Sequence, residues 1–250
     1  MNFVMSPTFP QDAFQQFGEI ASSFFPGPVS DENLYDPCAK LTHFQGAWLA
    51  VRYRYQACWE QNEAFKVLFA DAMASDLYRE WSVGEEYNYP LEQSVYTFFT
   101  NALSVFESLG FCLYFLGAMI DPKKENFPDA ASPKRITLKA TCTAFNAGFS
   151  YASISSRLME LLKDSGFKRI EDIRNILAHR LVGRRHIRDY GTTRPDGIRR
   201  EEFWHIIDLG EDLEFNDELL QRHFNEVNSS LTELIMASLE FVKSLRPAAG

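Results

Sequence analysis

The stretch FQGAWLAVRYRYQACWEQNEAFKVLF, Phe44 to Phe69, decides how this chain folds. Phe44, Trp48, Val51, Tyr55, Cys58, Asn62, Phe65 and Phe69 recur at alternating steps of four and three. On a helix of 3.6 residues per turn those positions fall on one stripe, apolar except at Asn62. No proline interrupts the region from Leu41 to Trp81. It therefore predicts one very long helix, or two with a bend near Gln61-Asn62.

Outward from this stretch the pattern stays helical. Ser82–Pro90 reads as a loop, and a second helix is expected from about Leu91 to Ile120. Past Phe98 that helix is apolar almost all round, which places it in the middle of a bundle. Its most hydrophobic run, Ser108–Ile120, is 13 residues long. That is too short for a membrane span and reads as a buried helix. Pro122, Pro128 and Pro133 mark a surface loop. Helix returns over 135–165, clearest from Tyr151 to Asp164, with Gly166 a plausible C-cap. A short helix follows from Lys168 to Leu181 and a last one from about Asn216 to Leu245. Between these two, Arg184–Tyr190 and Ile198–Ile207 flank the turn signal Arg194-Pro195-Asp196-Gly197, which suggests a β-hairpin or an irregular arm. The expected fold is all-α, an up-down bundle of four to five long helices with a small β-hairpin-like arm. Residues 1–40, with five of the eleven prolines, read as an N-terminal extension packed on the core. Residues 41–250 form the bundle, giving a single domain overall.

Composition narrows the function. The 250 residues are 46% apolar and include 22 Phe, enough for a substantial core. The formal charge is −9, unevenly spread. Residues 168–200 hold 10 Lys and Arg against 4 Asp and Glu, leaving 15 basic and 30 acidic residues elsewhere. A basic island on an acidic body argues for one anion-facing surface and against general nucleic-acid coating. The cysteines Cys38, Cys58, Cys112 and Cys142 are dispersed and read as buried thiols in a reducing, cytoplasmic setting. His186, His205 and His223 lack metal spacing, and no phosphate-binding glycine loop is present. The start Met1-Asn-Phe-Val-Met has no signal-peptide pattern. No metal, cofactor or membrane is expected.

The chemistry concentrates in Arg174-Asn175-Ile176-Leu177-Ala178-His179. With Ile170 at zero on a helical wheel, Ile173, Leu177 and Leu181 cluster within about 60° and form the core face. Arg174 falls about 40° from it and His179 about 180° away, beside Asn175 and Asp172. Arg174 is expected at the core edge with Glu107 as its candidate partner and Arg52 a rival for that carboxylate. Asn175 and His179, four apart, can hydrogen-bond. Ile176 is expected outside, near His179, so that a second subunit covers this face. Spacing alone is not decisive, since Arg200 and His205 share it.

The segment Arg174–His179 resembles the R-x4–6-H motif of the HEPN superfamily, in which a polar residue, here Asn175, commonly follows the arginine. The motif typically opens a late helix of an α-helical bundle, and the helix order here is similar over roughly residues 41–245. The first 40 residues and the 184–210 arm are not parts of the minimal family pattern. The resemblance implies a metal-independent endoribonuclease acting as a homodimer, often in toxin–antitoxin, phage-defence or RNA-processing systems. Arg174 and His179 would be the catalytic pair and Asn175 their support. Apart from the resemblance, Glu107, as a structural ion-pair member, and Asp172, beside His179 on the wheel, are read as supporting residues. Other family members are inactive and bind RNA, nucleotide or a protein partner. Chemically, histidine suits proton transfer from a 2′-OH near neutral pH, and arginine suits charge building on phosphate oxygens. Arg180, Arg184, Arg185, Arg188 and Arg194, with Tyr190 among them, could grip phosphates and stack on bases. The alternative for these arginines is a solvated arm paired with the acidic body.

Overall fold

The computed structural model describes residues 6–25, 37–74, 85–121, 126–127, 135–179, 184–194, 197–205 and 216–245, with side chains described for all of these except 37–39, 73–74, 85–88, 179, 184–194 and 197–205. The described residues form seven α-helices: α1 (Gln11–Ser22), α2 (Pro37–Ala74), α3 (Glu85–Ile120), α4 (Leu138–Gly148), α5 (Ser153–Lys163), α6 (Ser165–His179) and α7 (Asp217–Ser244). The fold is all-α. Three helices are long, at 38, 36 and 28 residues, where four or five were expected. The 135–165 region, expected as helix, supplies two short ones, because the chain leaves the helical region at Phe149, with φ −137°.

The apolar stripe forms a single helix, α2, without a break at Gln61-Asn62. Phe44, Val51, Tyr55, Cys58, Asn62 and Phe65 are all fully buried. Each large apolar side chain removed from water in this way contributes about 1.5–3 kcal/mol. Asn62, the polar interruption, donates from Nδ2 to Gln221 Oε1 on α7 at 3.0 Å, so the odd residue is a tie between helices. α3 starts at Glu85, earlier than the predicted Leu91, and carries Pro90 inside it. Pro90 lies in the second turn and removes only one backbone hydrogen bond, a cost the apolar remainder of the helix offsets. From Val95 to Leu116 nearly every face of α3 is buried. Tyr89–Ile120 is long and apolar enough to cross a membrane by composition, well beyond the 13-residue run; 67% of its most apolar window is buried inside the protein, as in a core helix.

The chain divides into two units. The first comprises residues 1–55, 104–167 and 227–250, and the second 56–103 and 168–226, so α2, α3 and α7 each contribute to both. In the first unit α1 lies on α2, with Phe14 stacked on Trp48 at 3.5 Å and Phe17 tilted against it at 4.7 Å. The buried Tyr55 hydroxyl sits between Thr8 Oγ1 at 2.8 Å and Asn228 Oδ1 at 2.7 Å. Phe145, Phe149 and Phe241 close an aromatic cluster, with Phe149 and Phe241 rings 5.1 Å apart. Ser155, 1% exposed, donates to the Phe149 carbonyl at 2.7 Å and fixes the corner between α4 and α5. In the second unit Phe98 and Phe99 pack edge to face, and Phe99 meets His223 at 5.4 Å. α7 is capped by Asn216, whose Oδ1 accepts from Leu219 N at 2.8 Å. Asp217 and Glu218 in its first turn and Lys243 in its last complement the helix dipole.

Candidate functional site

α6 carries the Arg174–His179 segment. The helix begins one residue after α5 ends. Asp164 leaves the helical conformation at ψ 135° and its Oδ1 accepts from Phe167 N at 2.8 Å. One aspartate thus ends α5 and caps α6. Gly166, expected as a C-cap, lies inside α6. The helix is described as far as His179, and Leu181, its expected end, lies outside the described residues.

The face that α6 buries differs from the wheel drawn from sequence. Phe167, Ile170, Ile173 and Ile176 are buried, at 6, 1, 0 and 7% exposure, while Leu177 is half-buried. The buried residues recur every third position, so the core line drifts round the helix by about 60° at each step. Ile176 was expected outside, as part of a face for a second subunit. It is buried instead, because the line centred on Ile173 and not on Leu177 faces the core. The exposed residues of the helix are Ser165, Lys168, Glu171, Asp172, Asn175 and Ala178, the side chain of position 179 not being described. Position 179 falls within the arc of the exposed residues, about 20° from Asp172 and about 40° from Asn175.

Arg174 is half-buried, at the edge where it was expected. Its Nη1 donates to Asn175 Oδ1 at 2.9 Å. The Asn175 oxygen is thus engaged by the arginine beside it, and the bond that Asn175 could make with His179 lies outside the described residues. The His179 side chain lies outside the described residues, as do those of Arg180, Arg184, Arg185, Arg188, Tyr190 and Arg194. Asp172 is exposed. Glu107 is exposed too and belongs to the first unit, whereas Arg174 belongs to the second. An exposed carboxylate keeps its hydration, so its place on α3 does not demand a buried partner. Glu107 borders a cleft in the first unit, together with His43, Arg54 and Ser108.

Two features were not legible as sites in the sequence. The first is that cleft, whose lining comes from helices far apart in the chain. The second is His223 on α7, set aside for lack of metal spacing. It is 2% exposed, its Nδ1 lies 2.7 Å from Glu226 Oε2, and its buried Nε2 has no hydrogen-bond partner among the described residues. Burial pushes its pKa below the usual imidazole value, and the charges of Arg222 and Arg169 push the same way against the pull of Glu226. Among the described residues no cluster of His, Cys, Asp and Glu could hold a metal ion. Cys58, Cys112 and Cys142 are buried free thiols, all with pKa values raised by burial, which suits packing and not nucleophilic attack. No protein-family model, curated protein or solved structure matches the chain.

Proposed function

We propose that the chain is a HEPN-like, metal-independent endoribonuclease that cleaves RNA at a composite site on a homodimer. The observation that carries this reading is α6 itself: one capped helix bears Arg174, Asn175 and His179, with the guanidinium half-buried and held by Asn175 at 2.9 Å. A guanidinium fixed in this way is preorganised to meet charge on a phosphate. In the proposed reaction one His179 takes the proton of a 2′-OH, and that oxygen attacks the adjacent phosphorus. The 5′-oxygen of the next nucleotide leaves, taking a proton from a protonated histidine. The products are a 2′,3′-cyclic phosphate and a free 5′-hydroxyl. Arg174 stabilises the charge gathering on the non-bridging oxygens. The need for a 2′-OH confines the reaction to RNA.

The proposal includes an up-down order for the bundle and a two-stranded arm after α6. The antiparallel register of β1 (Arg184–Arg194) with β2 (Gly197–His205), running from Arg184 opposite His205 to Arg194 opposite Gly197, supports the arm. Alternation along β1 would put Arg184, Arg188 and Tyr190 on one face, with Arg185 on the other. Such a face, with Arg180 and Arg194 near its ends, would bind the RNA backbone. The setting proposed is cytoplasmic, away from membranes, in a toxin–antitoxin or phage-defence system with an antitoxin or regulatory protein partner. One observation favours a second reading, a non-catalytic HEPN-like module that binds RNA, nucleotide or a protein. Ile176 is buried within the chain, which removes an apolar residue from the face a composite site would use.

The test is RNA cleavage in EDTA by wild type and His179→Ala. Wild type is expected to cleave, and the variant to lose at least about a hundredfold in rate, as removal of a general base does. Equal cleavage by both proteins would sink the catalytic assignment. Binding without cleavage by wild type would select the second reading.

A further inference from the structure

The cleft beside Glu107 lies wholly in the first unit and has a volume of about 520 Å³, within the range of small-molecule sites. Its floor is a run of small residues on α2: Gly46, Ala47 and Ala50. A side chain added at Gly46 would meet nothing within 4 Å, so the space above the floor is open. His43 and Arg54 stand at the two ends of the floor, eleven residues or about 16 Å of helix apart. At the His43 end is an aromatic wall. His43 stacks on Phe115 with ring centres 4.9 Å apart, and Phe111, which lines the cleft, meets Phe115 at 4.9 Å. At the other end the half-buried Arg54 donates from Nη1 to the Ser104 carbonyl at 3.0 Å and also bonds Ser108 Oγ. Those bonds use one nitrogen and hold the plane of the guanidinium. Its Nε and Nη2 donors make no hydrogen bond among the described residues.

From this cleft we infer that the protein carries a binding site for a small aromatic monocarboxylate, distinct from the site on α6. A flat ring fits against Phe111 over the small-residue floor, where no side chain of α2 stands in its way. The carboxylate meets the remaining donors of Arg54, which form a fork suited to it. Glu107 also lines the cleft, so a second acidic group on the ligand would add negative charge to a lining that already holds a carboxylate.

Calorimetric titration of the full chain with 2-naphthoate tests this. The controls are 2-naphthylmethanol, uncharged, and 2-naphthylmethylammonium, of opposite charge. Naphthoate is expected to bind at least about tenfold more tightly than either, a difference of about 1.4 kcal/mol. Gly46→Leu fills the open space and is expected to weaken naphthoate at least tenfold while the thermal midpoint holds or rises. Arg54→Gln is expected to reduce naphthoate to the level of the alcohol. No naphthoate binding at millimolar concentration, tighter binding of the ammonium compound, or unchanged binding by folded Gly46→Leu would each overturn the inference. Should Arg54→Gln fail to fold, Gly46→Leu decides alone.

Discussion

At the scale of single residues, His223 makes a specific demand on pH. Its folded pKa lies below the ordinary imidazole value, first through burial and then through Arg222 and Arg169, with Glu226 opposing. Above the unfolded value, near 6.5, the ring is neutral in both states and its packing against Phe99 contributes in full. As the pH falls through that value, the unfolded chain takes up a proton that the folded one resists, so folding stability is lost. Chemical unfolding midpoints of wild type and His223→Asn, measured from pH 7.5 to 5.5, check this. The asparagine amide can stand where Nδ1 meets Glu226 and does not titrate. Wild type is expected to lose stability more steeply toward low pH than the variant. Parallel curves would show that His223 is not a linked group.

At the scale of elements, two glycines on long helices predict opposite outcomes for the same substitution. Gly117 on α3 faces the ring of Phe127, and a Cβ there would stand inside van der Waals contact of two ring carbons. That ring cannot step aside easily, since it is held at 5.4 Å by both Tyr114 and Phe145. Gly117→Ala is therefore expected to destabilise by about 1–3 kcal/mol through overpacking. Gly46→Ala on α2 meets open space and is expected to stabilise by about 0.5–1 kcal/mol through helix propensity. Denaturant midpoints of the two variants, measured side by side, check the pair. A similar change in both would mean that neither local environment governs the effect. Sequence reading could find the helices but not this difference. Hydrophobic periodicity located α2, α3 and α7, because a long stripe repeats its signal many times. It also found the edge position of Arg174. It could not find the rotation of α6, where an i+3 line of isoleucines competes with an i+4 line through Leu177, and only the facing partner decides between them. Pro90 looked like a stop because a local rule was read without the tertiary packing that outweighs it. The cleft lining, drawn from α2, α3 and the two residues before α4, has no signature in any one segment.

At the scale of the whole molecule, charge distribution separates the two readings of the arginine island. The chain is at −9 overall, yet residues 168–200 stand at +6. RNA approaching that island is attracted locally and repelled by the rest, so binding should be strong only at low salt. If Arg184, Arg185 and Arg188 each meet a phosphate, replacing all three with glutamine removes about three released counterions. The slope of log affinity against log salt for single-stranded RNA should then flatten by about 2. The measurement is fluorescence anisotropy of a labelled RNA from 50 to 300 mM NaCl, made in the His179→Ala background so that cleavage cannot intervene. Loss of affinity should be largest at 50 mM and shrink as salt rises. If the arginines instead pair with the acidic body, the triple variant leaves the slope unchanged and lowers thermal stability at low salt. Slope and stability therefore move separately, so one variant distinguishes an RNA-binding arm from an internally neutralised one even if the chain cleaves nothing.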